Sequence, residues 1–118
     1  MSRKYIKYRS RAFVRQKGRC YYCGFPMWLY QPGSFASQYS LTDRQIARFQ
    51  CTAEHLQARQ DGGNDTRTII VAACKFCNRT RHKTPNPLEA REYKKKVIRR
   101  LKKSKWYPEK FHQLLALP

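Results

Sequence analysis

Acidic residues are scarce in this chain: seven Asp and Glu stand against 26 Lys and Arg, a formal charge of +19 over 118 residues. That excess is far beyond what solubility needs, so the expected partner is a polyanion, nucleic acid first. A merely basic, ribosome-associated protein is the competing reading, because counterion release rewards any phosphate backbone equally. Long apolar runs are also missing. The longest aliphatic run, Ile-Ile-Val-Ala-Ala at 69–73, falls far short of the roughly 20 residues that cross a bilayer. No apolar stretch follows the basic first residues, so a cytoplasmic protein with no membrane association is expected. There is no internal repeat beyond two short cysteine motifs. The length leaves room for one modest core, hence a single domain over 1–118.

Five cysteines in an intracellular setting argue against disulfides. Four fall in two pairs of equal spacing, Cys20-Tyr21-Tyr22-Cys23 and Cys74-Lys75-Phe76-Cys77. Zinc takes four thiolates tetrahedrally, and each C-x-x-C turn can grip one side of the ion. The pairs therefore predict a structural zinc that replaces core a chain this short cannot build. Cys51 is left over.

The first segment reads as a short basic helix, with Ser10 as its cap, Phe13 and Val14 facing inward, and Gly18 ending it. Residues 24–40 carry Pro26, Pro32, Gly33 and several aromatics without a clear period, so irregular structure with a bent hairpin at most is expected. Thr42 and Gln45 form a capping-box pair ahead of Ile46 and Phe49, predicting a helix of about two turns. A strand over 50–55, a polar loop over 57–66 around Asp61-Gly62-Gly63-Asn64-Asp65, a second strand over 68–73 and a helix over 74–83 follow. Asn78 and His82, four apart, would share a face of that helix. Asn86, Pro87 and Glu89 read as cap, first-turn proline and capping-box acid of a last helix at about 87–103. Its Tyr93, Val97, Ile98 and Leu101 lie on one side, with Lys and Arg on the other. No element is assigned from Ser104 onward. The spacing of Trp28, Tyr30 and Trp106 leaves core packing and base stacking both open.

Between the cysteine pairs, Glu54-His55 closes the first predicted strand. One of only seven carboxylates beside a histidine, in so cationic a chain, suggests a site that holds a cation against phosphate. A plain surface pair is the alternative. Together, Glu54-His55-Leu56, Arg59, Gly62-Gly63 and Ile70-Val71-Ala72-Ala73-Cys74-Lys75-Phe76-Cys77-Asn78-Arg79 resemble the HNH endonucleases, the ββα-metal or His-Me finger nucleases, in a form with a four-cysteine zinc site. The resemblance covers about residues 20–83. It implies an α+β fold, a small zinc-stapled ββα-metal core with flanking basic helices, and a metal-dependent endonuclease that hydrolyses phosphodiester bonds in DNA, double-stranded by expectation.

By the same resemblance His55 is the general base, and Glu54 and Asn78 ligate one catalytic Mg²⁺ or Mn²⁺. His82 is a further candidate ligand, a phosphate contact, or an exposed helix position. The family's middle Asn falls at Ile69, an aliphatic chain that cannot brace a catalytic loop by hydrogen bonding. The alternative is therefore a catalytically impaired, zinc-stapled DNA- or RNA-binding module. Phosphate contacts are expected from Arg59, Arg79, Arg81, Lys83, Lys95, Arg99 and Lys102, and no protein partner is implied.

Overall fold

The computed structural model describes residues 3–59 and 66–116, with side chains over 3–56 and 69–113. Among these residues the chain forms five α-helices and one two-stranded antiparallel sheet, a small α+β arrangement. Helix α1 (Arg3–Arg15) buries Ala12. Gly18 ends it, as its sequence position suggests: φ is +73°, and its N–H reaches Phe13 O at 2.9 Å. Two details differ from expectation. Ser10 lies inside the helix with its hydroxyl 3.3 Å from that of Tyr30, and Val14 is 75% exposed. The helix begins well before the start that a Ser10 cap implies, and it turns Ala12 to the core instead.

The segment expected to be irregular contains helix α2 (Pro32–Tyr39), opened by Pro32 in its first turn and closed by Ser40 in the left-handed region at φ 55°. It docks through the one buried side chain of Phe35. Helix α3 (Asp43–Ile46) continues into a 3-10 turn (Ala47–Phe49), together the two turns that the capping box predicts. Both bonds of that box form, Gln45 N–H to Thr42 Oγ1 at 3.2 Å and Thr42 N–H to Gln45 Oε1 at 2.9 Å.

Strands β1 (Cys51–Arg59) and β2 (Thr66–Cys74) pair with Cys51 opposite Cys74, Glu54 opposite Val71 and His55 opposite Ile70. Both outrun their predicted limits. The Gly62-Gly63 loop lies outside the described residues, as do Asn64 and the side chain of Arg59. Helix α4 (Lys75–Arg81) follows directly, with Cys74 as its cap. Helix α5 (Ala90–Lys102) starts later than expected. Glu89 occupies the cap position without a side-chain bond, and Asn86 and Pro87 precede the helix. Tyr93 and Val97 are buried as predicted, whereas Ile98 is exposed. A 3-10 helix (Glu109–Ala116) ends the described chain.

Aromatic side chains build much of the core. Phe25 stacks parallel to Phe49 at 6.0 Å and meets Tyr107 at 4.6 Å, while Phe76 packs edge-on to Trp106 at 5.4 Å. Trp28 donates its indole N–H to Ile46 O at 2.8 Å. Trp28 and Trp106 thus serve packing. Tyr30 stays exposed under the Arg9 guanidinium, 5.6 Å from its ring centre.

The two sheet edges are treated differently. Along the outer edge of β2, the Gln16 carboxamide imitates a strand: its Nε2 donates to Ala72 O at 2.8 Å and its Oε1 accepts from Ala72 N–H at 2.9 Å. Arg15 reaches Ile70 O two residues away. On β1, Cys51 N–H bonds Trp28 O, and Asn78 Nδ2 bonds Ala53 O. Backbone groups that point away from a partner strand recur every second residue, so those of His55 point out of this same edge.

Candidate functional site

Two groups of side chains stand out. The first is the cysteine quartet. Cys20, Cys23, Cys74 and Cys77 are all buried, and their sulfurs lie within 4.8 Å of one another, close enough to hold one metal ion. Each pair is shaped by its own turn. Gly24, at φ +75°, lets the chain reverse after Cys23 so that its N–H returns to Cys20 O. On the other side, the Cys77 N–H points at Cys74 Sγ at 3.4 Å, the first-turn geometry of α4. Tyr22 and Cys74 N–H groups both lie 3.3 Å from Cys20 Sγ.

Burial opposes ionisation of Cys20, yet the surrounding Cys23, Cys74 and Cys77 thiols hold it well below the ordinary thiol range. Burial first, then the neighbouring sulfurs, pushes Cys23 well above that range. Sulfurs this crowded favour at most partial ionisation on their own. A divalent cation that accepts thiolates removes the conflict, and four cysteines are the donor set that suits zinc. The cluster therefore suggests a structural zinc site. Tyr107 Oη lies 3.1 Å from Cys74 Sγ and 3.7 Å from Cys23 Sγ, so the C-terminal segment covers the sulfurs. Cys51, the unpaired cysteine, is held protonated by burial, its thiol pushed up to about 12.

The second group centres on Glu54, which is only 2% exposed. An isolated buried carboxylate is costly, and this one is surrounded by donors. Tyr22 donates its hydroxyl to Oε2 at 2.9 Å, Arg81 Nη1 lies 3.2 Å from the same oxygen, and His82 Nε2 is 3.0 Å from Oε1. Burial, reinforced by the Glu54 charge, raises the Tyr22 phenol far above its usual value and keeps it a donor. Asn78, one turn before His82, donates to Thr52 Oγ1 at 3.0 Å and to Ala53 O. Thr52 and Glu54 share a face of β1 by strand alternation. Glu54, Asn78 and His82 are thus collected where α4 crosses the strand. The carboxylate and carboxamide oxygens are donors of the kind a hard divalent cation takes, and the Glu54 carboxylate is already bound by Tyr22, Arg81 and His82.

His55 is not in that collection. It projects from the opposite face of β1, exposed to solvent, with its ring edge-on to Tyr5 of α1 at 4.7 Å. The expected base, His55, and the expected ligands, Glu54 and Asn78, therefore lie on opposite faces of the sheet. Strand alternation separates them, and only the edge of β1 is common to both.

Among the expected phosphate contacts, Arg81 is turned inward instead: its side chain is 11% exposed, bound to Glu54 and, through Nε, to Leu88 O at 3.1 Å. Burial of Glu54 supplies the reason, since the carboxylate requires a nearby cation. Arg79 and Lys83 border a recess of about 310 Å³ with Lys75 and Arg48. Lys95, Arg99 and Lys102 stand exposed on α5, Lys95 beside Glu92 at 3.5 Å. Ile69 is 41% exposed and pairs with Leu56. Sequence reasoning passed over Tyr22, Thr52 and Tyr107. Tyr22 carried a signal, a hydroxyl-bearing ring inside a cysteine turn, whereas the others meet their partners only through tertiary packing.

No helix among the described residues is long and apolar enough to cross a membrane. Compared with known protein families, with curated proteins and with solved structures, the chain matches none.

Proposed function

We propose that the protein is a metal-dependent nuclease of the HNH type that hydrolyses phosphodiester bonds in DNA. The observation that carries this reading is the buried Glu54 carboxylate meeting His82 at 3.0 Å, at the C-terminal cap of the helix that starts from the second cysteine pair and bears Asn78. Glu54, His82 and Asn78 would hold a Mg²⁺ or Mn²⁺ ion, which supplies charge stabilisation for the phosphorane-like transition state and the departing oxygen.

The edge of β1 beyond Ala53, where the backbone groups of His55 point outward, supports a geometry for the rest. A phosphodiester lying over that edge meets the Glu54 side of the strand on one flank and His55 on the other. His55 takes a proton from water as its oxygen bonds to phosphorus. The bond from phosphorus to the leaving oxygen breaks, and that oxygen is protonated from solvent. The Ala53 carbonyl, bound by Asn78, fixes the strand just before the acid–histidine pair. The zinc cluster ties β2 and α4 to the first cysteine turn, keeping helix and strand in register around the site.

A second reading, a zinc-stapled nucleic-acid-binding module without cleavage, draws support from two observations. His55 lies on the other face from Asn78, and Ile69 stands where the family has asparagine. Plasmid incubation with zinc-loaded protein and Mg²⁺ or Mn²⁺ separates the two. Nicking by wild type that falls by about 10²–10⁴-fold in His55→Ala is expected if His55 is the base. Equal absence of nicking in both proteins, with DNA still bound, would leave only the binding module.

A further inference from the structure

A recess of about 440 Å³ runs between α1 and the β2 edge, lined by Lys4, Tyr5, Tyr8, Arg11, Arg15 and Ile70. It lies on the His55 face of the sheet, for Ile70 is the register partner of His55 and Tyr5 touches the imidazole. Lys4, Tyr8, Arg11 and Arg15 follow one another at spacings of three and four, so a single helix face alternates cations with an aromatic ring. The second wall is strand backbone whose outward Ile70 carbonyl is bound by Arg15 at 3.4 Å.

From this we infer that the recess binds an unpaired polynucleotide strand, with at least one base seated against Tyr8 and the flanking phosphates on Lys4 and Arg11. Duplex bases already stack on one another and offer proteins only their edges, so a tyrosine inside a groove has nothing to stack on in a closed double helix. Unpaired bases expose their faces, and a cationic groove set with aromatics is the chemistry that holds them. The alternative occupant, the outer backbone of a duplex, uses the cations and gives the Tyr8 ring nothing to stack on. A strand in this recess lies on the same face of the sheet as His55, against the Tyr5 ring that touches the imidazole. Its meaning for cleavage, that the cut strand is single or locally opened, rests on the nuclease reading. Its binding chemistry does not.

The test is fluorescence anisotropy with zinc-loaded protein and no added Mg²⁺ or Mn²⁺. It uses a labelled single-stranded DNA of about 12 nucleotides and the same sequence as a blunt duplex, at one fixed salt concentration. The unpaired strand should bind at least about tenfold more tightly than the duplex. Tyr8→Ala should weaken unpaired-strand binding by about 5–100-fold, Tyr8→Phe by far less, and duplex affinity should stay within about twofold. Equal affinity for the two forms, or equal losses on both in Tyr8→Ala, overturns the inference. Tyr8-dependent strand binding without plasmid nicking would remove the nuclease reading alone. Nicking combined with equal affinities would remove the strand groove alone.

Discussion

At the scale of single residues, Glu54 concentrates the physical tension of the molecule. It is a charged group almost fully withdrawn from water, tolerated because Arg81, His82 and Tyr22 surround it. Removing one partner of a buried ion pair leaves the other charge uncompensated, a cost of about 3–5 kcal/mol. Arg81→Met should therefore lower unfolding stability by about that amount, and Tyr22→Phe, which deletes one charge-assisted hydrogen bond, by about 1.5–3 kcal/mol. Urea denaturation of the two variants checks both values and their order. The sequence made Glu54 and His55 conspicuous as a pair. That neighbours in a strand point to opposite faces was implicit in the predicted strand. What the sequence could not convey is that Arg81 belongs to the carboxylate and not to a phosphate, because that depends on where α4 lands against β1, which local spacing does not encode.

Among the elements, legibility followed the strength of local signals. The capping box of Thr42 and Gln45 specified its helix because both partners sit within one turn. Gly18 ended α1 for an equally local reason, its positive φ. By contrast α2 was missed, since PGSFASQY has no apolar period and is held mainly by one buried ring. The strand pair was found but cut short, because the largely polar stretch 57–66 read as loop while ladder bonding extended into it from both sides. Gln16 is the clearest case of a hidden determinant. Its carboxamide occupies the outer edge of β2 and satisfies Ala72 on both sides, with Nε2 also donating to Arg19 O at 2.7 Å. Gln16→Ala should strand a buried backbone N–H, destabilise the fold by about 1–3 kcal/mol, and speed hydrogen exchange at the Ala72 amide. An unchanged exchange rate would mean that this edge is protected by something other than the side chain.

On the scale of the whole molecule, the balance falls between a small core and a cluster of four sulfurs. Domains of this size are stable by about 5–15 kcal/mol, and structural zinc contributes about 10–16 kcal/mol in small zinc-binding peptides. The metal term is as large as the total. Stripping with a strong chelator should therefore abolish the cooperative thermal transition, and Cys77→Ala should reproduce the loss without chelator. Circular dichroism against temperature reads both, and elemental analysis should find one zinc per chain. The sequence disclosed the quartet through its paired spacing. It held no sign that Tyr107 would lie against it, because 30 residues separate that ring from the nearest cysteine.

The origin of those donors along the chain has a consequence for biogenesis. A nascent polypeptide halted before Cys74 owns half of the sulfurs, and one halted before Tyr107 leaves them uncovered. Capture of the ion by all four sulfurs must wait until Cys77 has been made, so the yield of mature protein should track the supply of free metal after that point.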